Sequence, residues 1–200
     1  VAVPCPAQTD ERSGAAVSAD FWHGVRETFR ARHGKAVAVL GLASPEGNLS
    51  PHLMLRQSAE NRMAKLRGLS RTQELARRIS LAVEETWETA REDIRTDLAF
   101  AHYVETFSLP GRKVTEAELA DAKRQLDALA SKPRPGGSDY WLKRRYQTTL
   151  DRFEAQRSIS PQCEVEMHVV RLGDVVIATN PFELYPEYGM CIQGRSPAGQ

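Results

Sequence analysis

Apolar residues recur every three or four positions in four stretches of this chain, and this period predicts helices. The stretches cover residues 18–33, 70–94, 115–130 and 139–157. In the first stretch Ser18 is expected to be the N-cap, and Val17 and Trp22 are placed to form a hydrophobic staple around it. Gly34 suits the position that follows the last turn of this helix.

Capping sequences support the second and third helices. Ser70 with Gln73, and Thr115 with Glu118, have the spacing of a capping box, in which each side chain bonds to the backbone N–H of the other residue. Apolar stripes follow at helical spacing: Leu75, Ile79, Val83, Trp87 and Ile94 in one helix, and Leu119, Ala122, Leu126 and Leu129 in the other. Both helices are therefore expected to pack one face against a core.

Strands are predicted where apolar residues run continuously or alternate, at residues 36–42, 97–109, 163–172 and 175–179. The pair Gly173-Asp174 separates the last two and predicts a tight hairpin. Residues 1–16 are rich in Pro, Ser and Gly and are predicted to be irregular. The mixture predicts an α/β fold of mixed α+β layers, with helices packed on a mixed β-sheet and functional loops at strand ends.

The composition narrows the class of protein. The chain has 200 residues, 41% of them hydrophobic, and can bury a core of ordinary size. Its 27 basic and 26 acidic residues nearly cancel, so it lacks the basic excess that binds a phosphate backbone. No apolar run approaches the roughly 20 residues that span a bilayer. Cys5, Cys163 and Cys191 form no CxxC pair, which favours neither a zinc ribbon nor a disulfide framework.

The two ends of the sequence carry no start or stop signal. The sequence opens on VAVPCP without an initiator Met and closes on RSPAGQ directly after a patterned segment. Residues 132–138 (KPRPGGS) are the only linker-like stretch, and they separate two helices without needing to divide domains. We therefore expect residues 1–200 to be an internal piece of a single larger domain, and the cellular location stays open.

The first predicted strand runs into a loop crowded with turn-forming residues, GLASPEGNLSPHLM at residues 41–54. Gly47 and Asn48 favour a turn, and Pro51 restricts the backbone directly after Ser50, which would hold the Ser50 hydroxyl in one direction. A rigid structural turn is the simpler interpretation, and a preorganised hydroxyl in a site is the alternative. His52 follows Ser50 closely, but no acidic partner for a triad is identifiable. A P-loop sequence is absent from this loop.

The last predicted strand is followed by a carboxylate in an apolar setting. Glu183 comes shortly after VVIAT and is flanked by Phe182 and Leu184. A carboxylate at the carboxyl end of a strand is suited to ligand binding or acid–base chemistry. An acidic residue in the first turn of a helix is an equally good interpretation.

Three polar residues alternate along the strand predicted at 163–172. Glu164, Glu166 and His168 share one face of the sheet. Residues in a row along a strand do not converge easily on one ion, so a solvated or partly paired sheet face is the favoured interpretation over a metal site.

Three segments together give the chain a family resemblance. LGLASPEGNLSPH, HVVRLGDVVIATNPFELYPEYG and IQGRSP, in this order and spacing, resemble the catalytic domain of the neutral (alkaline, non-lysosomal) ceramidase family, and most closely its uncharacterised bacterial relatives. In that family a Gly-Asp-x-Ser-Pro-(Asn/His) loop follows a core strand, and a later Leu-Gly-Asp strand leads to a Pro-x-Glu turn. CPAQ, ADFW and SLPGRKVTEAE also fit the bacterial relatives.

The resemblance implies a zinc-dependent amidohydrolase in which a zinc-bound water attacks a linear N-acyl amide such as ceramide. Two histidines, a glutamate and a tyrosine hold the zinc in the family. On this mapping Glu183 matches the glutamate ligand, and Ser50 matches the serine of the loop near the active site. The resemblance further implies a small-molecule or lipid amide as substrate and a secreted or periplasmic location.

The chain departs from the family pattern at several ligand positions. Asn48 stands where the family usually has Asp. The two histidine ligands would lie before Val1 and the tyrosine ligand beyond Gln200, so the remaining zinc ligands are expected outside this chain. A catalytic zinc needs about three protein ligands, so the 200-residue chain alone is expected to be inactive. A non-catalytic binding or scaffold protein with a ceramidase-like fold is the alternative hypothesis, and Asn48 favours it.

Overall fold

A computed structural model describes residues 1–9, 17–132 and 136–198. These residues form six helices and five strands, which confirms the prediction of a mixed α and β fold. The helices are α1 (Phe21–His33), α2 (Gln57–Arg67), α3 (Arg71–Ala90), α4 (Glu116–Ala130), α5 (Gly137–Ala155) and α6 (Pro186–Arg195). The strands are β1 (Ala2–Val3), β2 (Leu42–Ala43), β3 (Phe100–Pro110), β4 (Gln162–Leu172) and β5 (Val175–Ala178).

The strands form two small sheets. Strands β1 and β2 pair in parallel, with Ala2 opposite Leu42. The second sheet has the order β3-β4-β5. Near its two ends Gly173 donates its N–H to the carbonyl of Ala99, and Gly111 donates to the carbonyl of Pro161, so β3 and β4 run antiparallel.

The chain divides into two compact units, the first of which contains Val1–Ala101, Val170–Ile177 and Phe182–Gln200. In this unit α1 packs against α3. The two helices approach closely, because a Cβ atom at Gly24 would lie only 2.7 Å from the Cβ atom of Ala76. The core consists of buried Phe21, Val25 and Ala76, with partly buried Cys5, Trp22, Val39, Leu75 and Ile79 packed against it.

The second unit contains His102–Val169 and Ala178–Pro181. Helix α4 packs against α5 in this unit. Val114, Ala122, Phe153 and Val165 are its buried apolar side chains among the described residues. The side-chain amide of Gln156 accepts from the N–H of Val114 and donates to its carbonyl, both at 2.7 Å, and so ties the end of α5 to the segment before α4.

The predictions that rest on local signals are confirmed. Ser70 and Thr115 are the N-caps of α3 and α4, and both capping boxes are formed. Helix α5 lies where residues 139–157 were predicted to be helical, and β4 and β5 form the predicted hairpin around Gly173-Asp174. Strand β3 starts three residues later than predicted. No described helix is long and apolar enough to cross a bilayer.

The predicted start of α1 is wrong. Asp20 is the N-cap, and its carboxylate accepts from the N–H of Phe21 at 2.7 Å. Thr9 donates its N–H and its hydroxyl to the same carboxylate, at 2.7 and 2.6 Å, which fixes Asp20 in the capping position. The Ser18 hydroxyl instead accepts from the N–H of Asp20, and the fully exposed Val17 forms no staple.

The strand predicted at 36–42 is reduced to Leu42–Ala43. Among the described residues, β1 is the pairing partner of β2, and β1 lies within residues 1–16, which were predicted to be irregular. Residues 10–16 lie outside the described residues. The carbonyl of Val39, just before this strand, accepts instead from the Arg26 guanidinium. Helix α2 was not predicted, because it buries no side chain and has no apolar stripe.

The apolar stripe of α3 is less buried than predicted. Ile94 lies beyond the end of the helix and is exposed. The fully buried side chains of α3 are Glu74, Ala76 and Ser80. Glu74 is only 1% exposed because three guanidinium groups surround its carboxylate, those of Arg67, Arg77 and Arg78.

Candidate functional site

The structure brings the two loops that carry the candidate site residues into contact. The N–H of Gly47 donates to the carbonyl of Leu184 at 2.9 Å. A Cβ atom at Gly47 would lie 2.1 Å from the carbonyl oxygen of Glu183, so only glycine fits at this contact. Pro45 packs in the same way against Gly189, at the start of α6. Residues far apart in the sequence therefore form one continuous surface within the first unit.

Ser50 is exposed and lies in a rigid stretch of this surface. Its Oγ accepts from the N–H of His52 at 3.2 Å, which leaves the hydroxyl hydrogen for another acceptor. Pro51 is fully buried. Its carbonyl accepts two hydrogen bonds from Arg71 of α3, at 3.1 Å from Nε and 2.9 Å from Nη2. The predicted restriction after Ser50 thus has two causes, the proline ring and the guanidinium clamp.

Glu183 is exposed and lies beside a second carboxyl group, that of Glu46. The backbone N–H of Cys5 bonds to the Glu46 carboxyl, but its Oε2 atom is buried without a hydrogen-bond partner among the described residues. Burial raises the pKa of Glu46, and the negative charge of Glu183 raises that pKa further. An adjacent pair of carboxyl groups, one of them resisting ionisation, is suited to holding or moving a proton.

The thiol of Cys5 borders the same loop. Burial raises the pKa of Cys5, and the charge of Glu46 raises that pKa further, while Arg71 opposes the rise. A thiol with a raised pKa is a weak nucleophile at neutral pH. Cys5 therefore contributes to packing around Glu46 and not to nucleophilic chemistry.

The resemblance implies a bound zinc ion, and the side chains present can be compared with the ligands that zinc requires. In the described part of the chain, no group of three or more His, Cys, Asp and Glu side chains could hold a metal ion. Glu183 and Glu46 supply carboxylates, but a catalytic zinc needs about three protein ligands. The described residues do not make up a zinc site on their own, so a zinc held by Glu183 would need further ligands from elsewhere.

The polar face of β4 forms a separate hydrogen-bonded chain in the second unit. Nε2 of His168 lies 3.0 Å from a carboxylate oxygen of Glu166, and its Nδ1 lies 2.9 Å from Nε2 of His102. The two imidazole rings are nearly parallel, at 12°, with centroids 5.2 Å apart. This arrangement has room for a shared proton but not for an ion that needs about 2 Å to each nitrogen.

Sequence reasoning missed two residues of the site surface, Glu46 and Arg71. Glu46 lies between Pro45 and Gly47, inside the loop already singled out, so a carboxylate in that loop was a usable signal. Arg71 had no signal, because its contact with Pro51 depends on how α3 packs. Comparison with protein-family models, with curated proteins and with solved structures found no match to the chain.

Proposed function

We propose that this chain is part of a zinc-dependent amidohydrolase that resembles neutral ceramidase and hydrolyses the C–N bond of a linear N-acyl amide. The observation that carries the proposal is the contact between Gly47 and Glu183–Leu184. Two of the segments that carry the resemblance hold the proposed site residues, and an active site requires those two segments to be neighbours. Their backbones touch.

In this proposal Glu183 is a metal ligand, and the other ligands lie outside the chain. Zinc, when bound, would polarise the amide carbonyl and make water a better nucleophile. Ser50 orients the substrate: because its Oγ already accepts from His52, its hydroxyl hydrogen can donate to the amide carbonyl oxygen. The Arg71 clamp on Pro51 keeps that hydroxyl in place, and burial together with the charge of Glu183 raises the pKa of Glu46.

The alternative is a protein of the same fold that binds a lipid or carbohydrate, or acts as a scaffold, without catalysis. Asn48 favours this alternative, since an amide replaces the acidic residue usual in the ceramidase family. Two histidines in strand-end loops of any sequence preceding Val1 would favour the enzyme. Their absence would favour the binding protein.

The experiment is a substitution of the proposed ligand in the protein that contains this chain. We expect Glu183→Gln to remove both bound zinc and the hydrolysis of a panel of N-acyl amides, with zinc measured by elemental analysis. Glu187→Gln is the matched control, because Glu187 is an exposed carboxylate on α6 and should leave both unchanged. Retention of zinc and activity by Glu183→Gln would overturn the assignment.

The role of Ser50 requires a separate measurement. Ser50→Ala is expected to keep the zinc content and to reduce kcat by about 100- to 1000-fold, the range found for loss of one donor to a developing oxyanion. Ser58→Ala, which removes an exposed hydroxyl from α2, should leave kcat unchanged. An unchanged kcat in Ser50→Ala would exclude the proposed donor. A protein that binds zinc but hydrolyses none of the amides would support the non-catalytic alternative.

A further inference from the structure

A cavity of about 780 Å³ lies between α1 and α3, within the first unit. It includes neither Ser50 nor Glu183. Its volume falls within the range of small-molecule sites, about 300 to 1,000 Å³. Both helices contribute their N-terminal ends to the wall, at Asp20–Phe21 and at Ser70–Gln73. Asp20 and the Ser70–Gln73 capping box already cap these two N-termini, so any preference for an anion comes from basic side chains elsewhere in the wall.

Basic side chains in the wall give the cavity a preference for an anion. Arg32, Arg77 and His23 line the cavity. Arg77 is bonded to the buried carboxylate of Glu74, whereas Arg32 is half exposed and, among the described residues, has one loose ion pair, 3.5 Å from Glu84. Arg32 can turn toward a ligand while Glu84 keeps its 2.8 Å contact with His33.

The carboxylate of Asp20 in the wall already accepts hydrogen bonds from the protein. Asp20 accepts from both the N–H and the hydroxyl of Thr9 and from the N–H of Phe21. These bonds occupy both oxygens of its carboxylate. The charge of Asp20 is thus directed at the start of α1 and away from a ligand.

A buried hydroxyl in the wall has no partner. Ser80 is only 3% exposed, and its Oγ makes no hydrogen bond with any described residue, including the preceding turn of α3. An unpaired buried hydroxyl is costly, and a ligand oxygen in the cavity would remove that cost. Leu69 and Leu81 supply apolar surface in the same wall, whereas Phe21 and Ala76 are buried in the core.

We infer that this cavity binds a small organic anion, with a carboxylate or phosphate head near Arg32 and Ser80 and an apolar body against Leu81. The inference does not depend on the proposed amidase activity, because it uses no residue of the Ser50–Glu183 surface. Carboxylate and phosphate share the required chemistry, which is a charged oxygen that accepts from a guanidinium and a hydroxyl.

The test uses four probes with the same octyl chain and the full 200-residue chain. Octanoate and octyl phosphate are expected to bind in calorimetric titrations, and the stronger of the two identifies the preferred head group. Octyltrimethylammonium and octanol are expected to bind at least tenfold more weakly, because they lack the anionic oxygen. Equal binding of all four, or binding of none, would overturn the inference.

Substitutions locate the site. Arg32→Gln should weaken octanoate binding about tenfold or more, and Ser80→Ala about 2- to 10-fold, as expected for loss of a charged and a neutral hydrogen bond. Arg62→Gln and Ser58→Ala, at exposed positions of α2 outside the cavity, are the matched controls. Ser80→Ala should also reduce the rise in Tm that octanoate causes. Wild-type affinity in both cavity variants, or equal losses in the controls, would overturn the site.

Discussion

The backbone N–H of Gly47 donates to the carbonyl of Leu184 at 2.9 Å, and this hydrogen bond joins the two loops of the candidate site. The contact is so close that a Cβ atom at Gly47 would lie 2.1 Å from the Glu183 carbonyl oxygen. Backbone atoms cannot move aside as the end of a flexible side chain can. The position of Glu183 relative to Ser50 therefore depends on the absence of a side chain at residue 47.

Gly47→Ala is expected to destabilise the chain by about 1 to 3 kcal/mol, the usual cost of forcing extra atoms into a packed contact. The free energy of unfolding in urea measures this loss. Gly194→Ala is the control, because residue 194 lies in α6 with no other heavy atom near its Cβ position. Alanine there should be neutral or stabilising by roughly 0.5 to 1 kcal/mol. Equal stabilities of the two variants would contradict the role given to Gly47.

Arg71→Gln tests the clamp on the loop that carries Ser50. The substitution removes the fork that donates twice to the Pro51 carbonyl, and a buried carbonyl then lacks its partner. We expect amide hydrogen exchange to accelerate across residues 47–52, with a loss of about 1 to 3 kcal/mol in stability. Arg91→Gln, an exposed arginine that pairs only with Glu92 among the described residues, should change neither. Unchanged exchange in the loop would show that proline alone holds Ser50.

The sequence predictions are correct where the interacting residues are close together in the sequence, and they fail where the partner is distant. The capping boxes at Ser70 and Thr115 join residues three apart, so the sequence displays both partners of each bond. Asp20, and not the predicted Ser18, caps α1, because Thr9 holds the Asp20 carboxylate from outside the helix. Local spacing cannot show such a partner.

The same distinction applies to the candidate site. Composition indicated a stiff turn around Ser50, but the neighbour of that turn was suggested only by the family resemblance. The contact between Gly47 and Leu184 is made by backbone atoms, which leave no pattern of residue types. The burial of Glu46 likewise depends on Cys5 and the first strand pair, which apolar periodicity did not reveal.

Glu74 is expected to make the stability of the chain sensitive to acid. Hydrogen bonds from Arg77, and then from Arg78, outweigh the effect of burial and lower the pKa of Glu74 to about 2. Since this pKa lies below its ordinary value of 4.5, the stabilisation is complete above about pH 4.5 and is lost as the pH falls toward 2. Glu74→Gln should be less stable at pH 7 and should lose less stability over that interval.

Urea unfolding between pH 2 and 7 measures this dependence for the wild type and for Glu74→Gln. Glu85→Gln, an exposed position on the same helix, should reproduce the wild-type curve. A Glu74→Gln curve parallel to the wild type would mean that other carboxylates carry the acid sensitivity.

Glu46 should have the opposite dependence, because its pKa is raised. Burial is the largest cause of the raised pKa; the hydrogen bond from the Cys5 N–H opposes it and the charge of Glu183 adds to it, so the folded state favours the protonated carboxyl. A group of this kind destabilises the fold as the pH rises from its unfolded pKa through its folded one, and the loss then stays constant. Glu46→Gln mimics the protonated form. It should therefore stabilise the chain at pH 7.5 relative to the wild type and have little effect at pH 4.

Glu183→Gln separates the two causes of this shift. Removing the neighbouring charge should lower the pKa of Glu46 and recover part of the stability at pH 7.5, whereas burial is unchanged. The pKa is measured by NMR titration of the labelled Glu46 carboxyl carbon. Glu187→Gln, which removes an exposed charge from α6, should leave that pKa where it is. If Glu183→Gln leaves the pKa of Glu46 unchanged, the two carboxyl groups do not share a site, whatever the metal content of the complete protein.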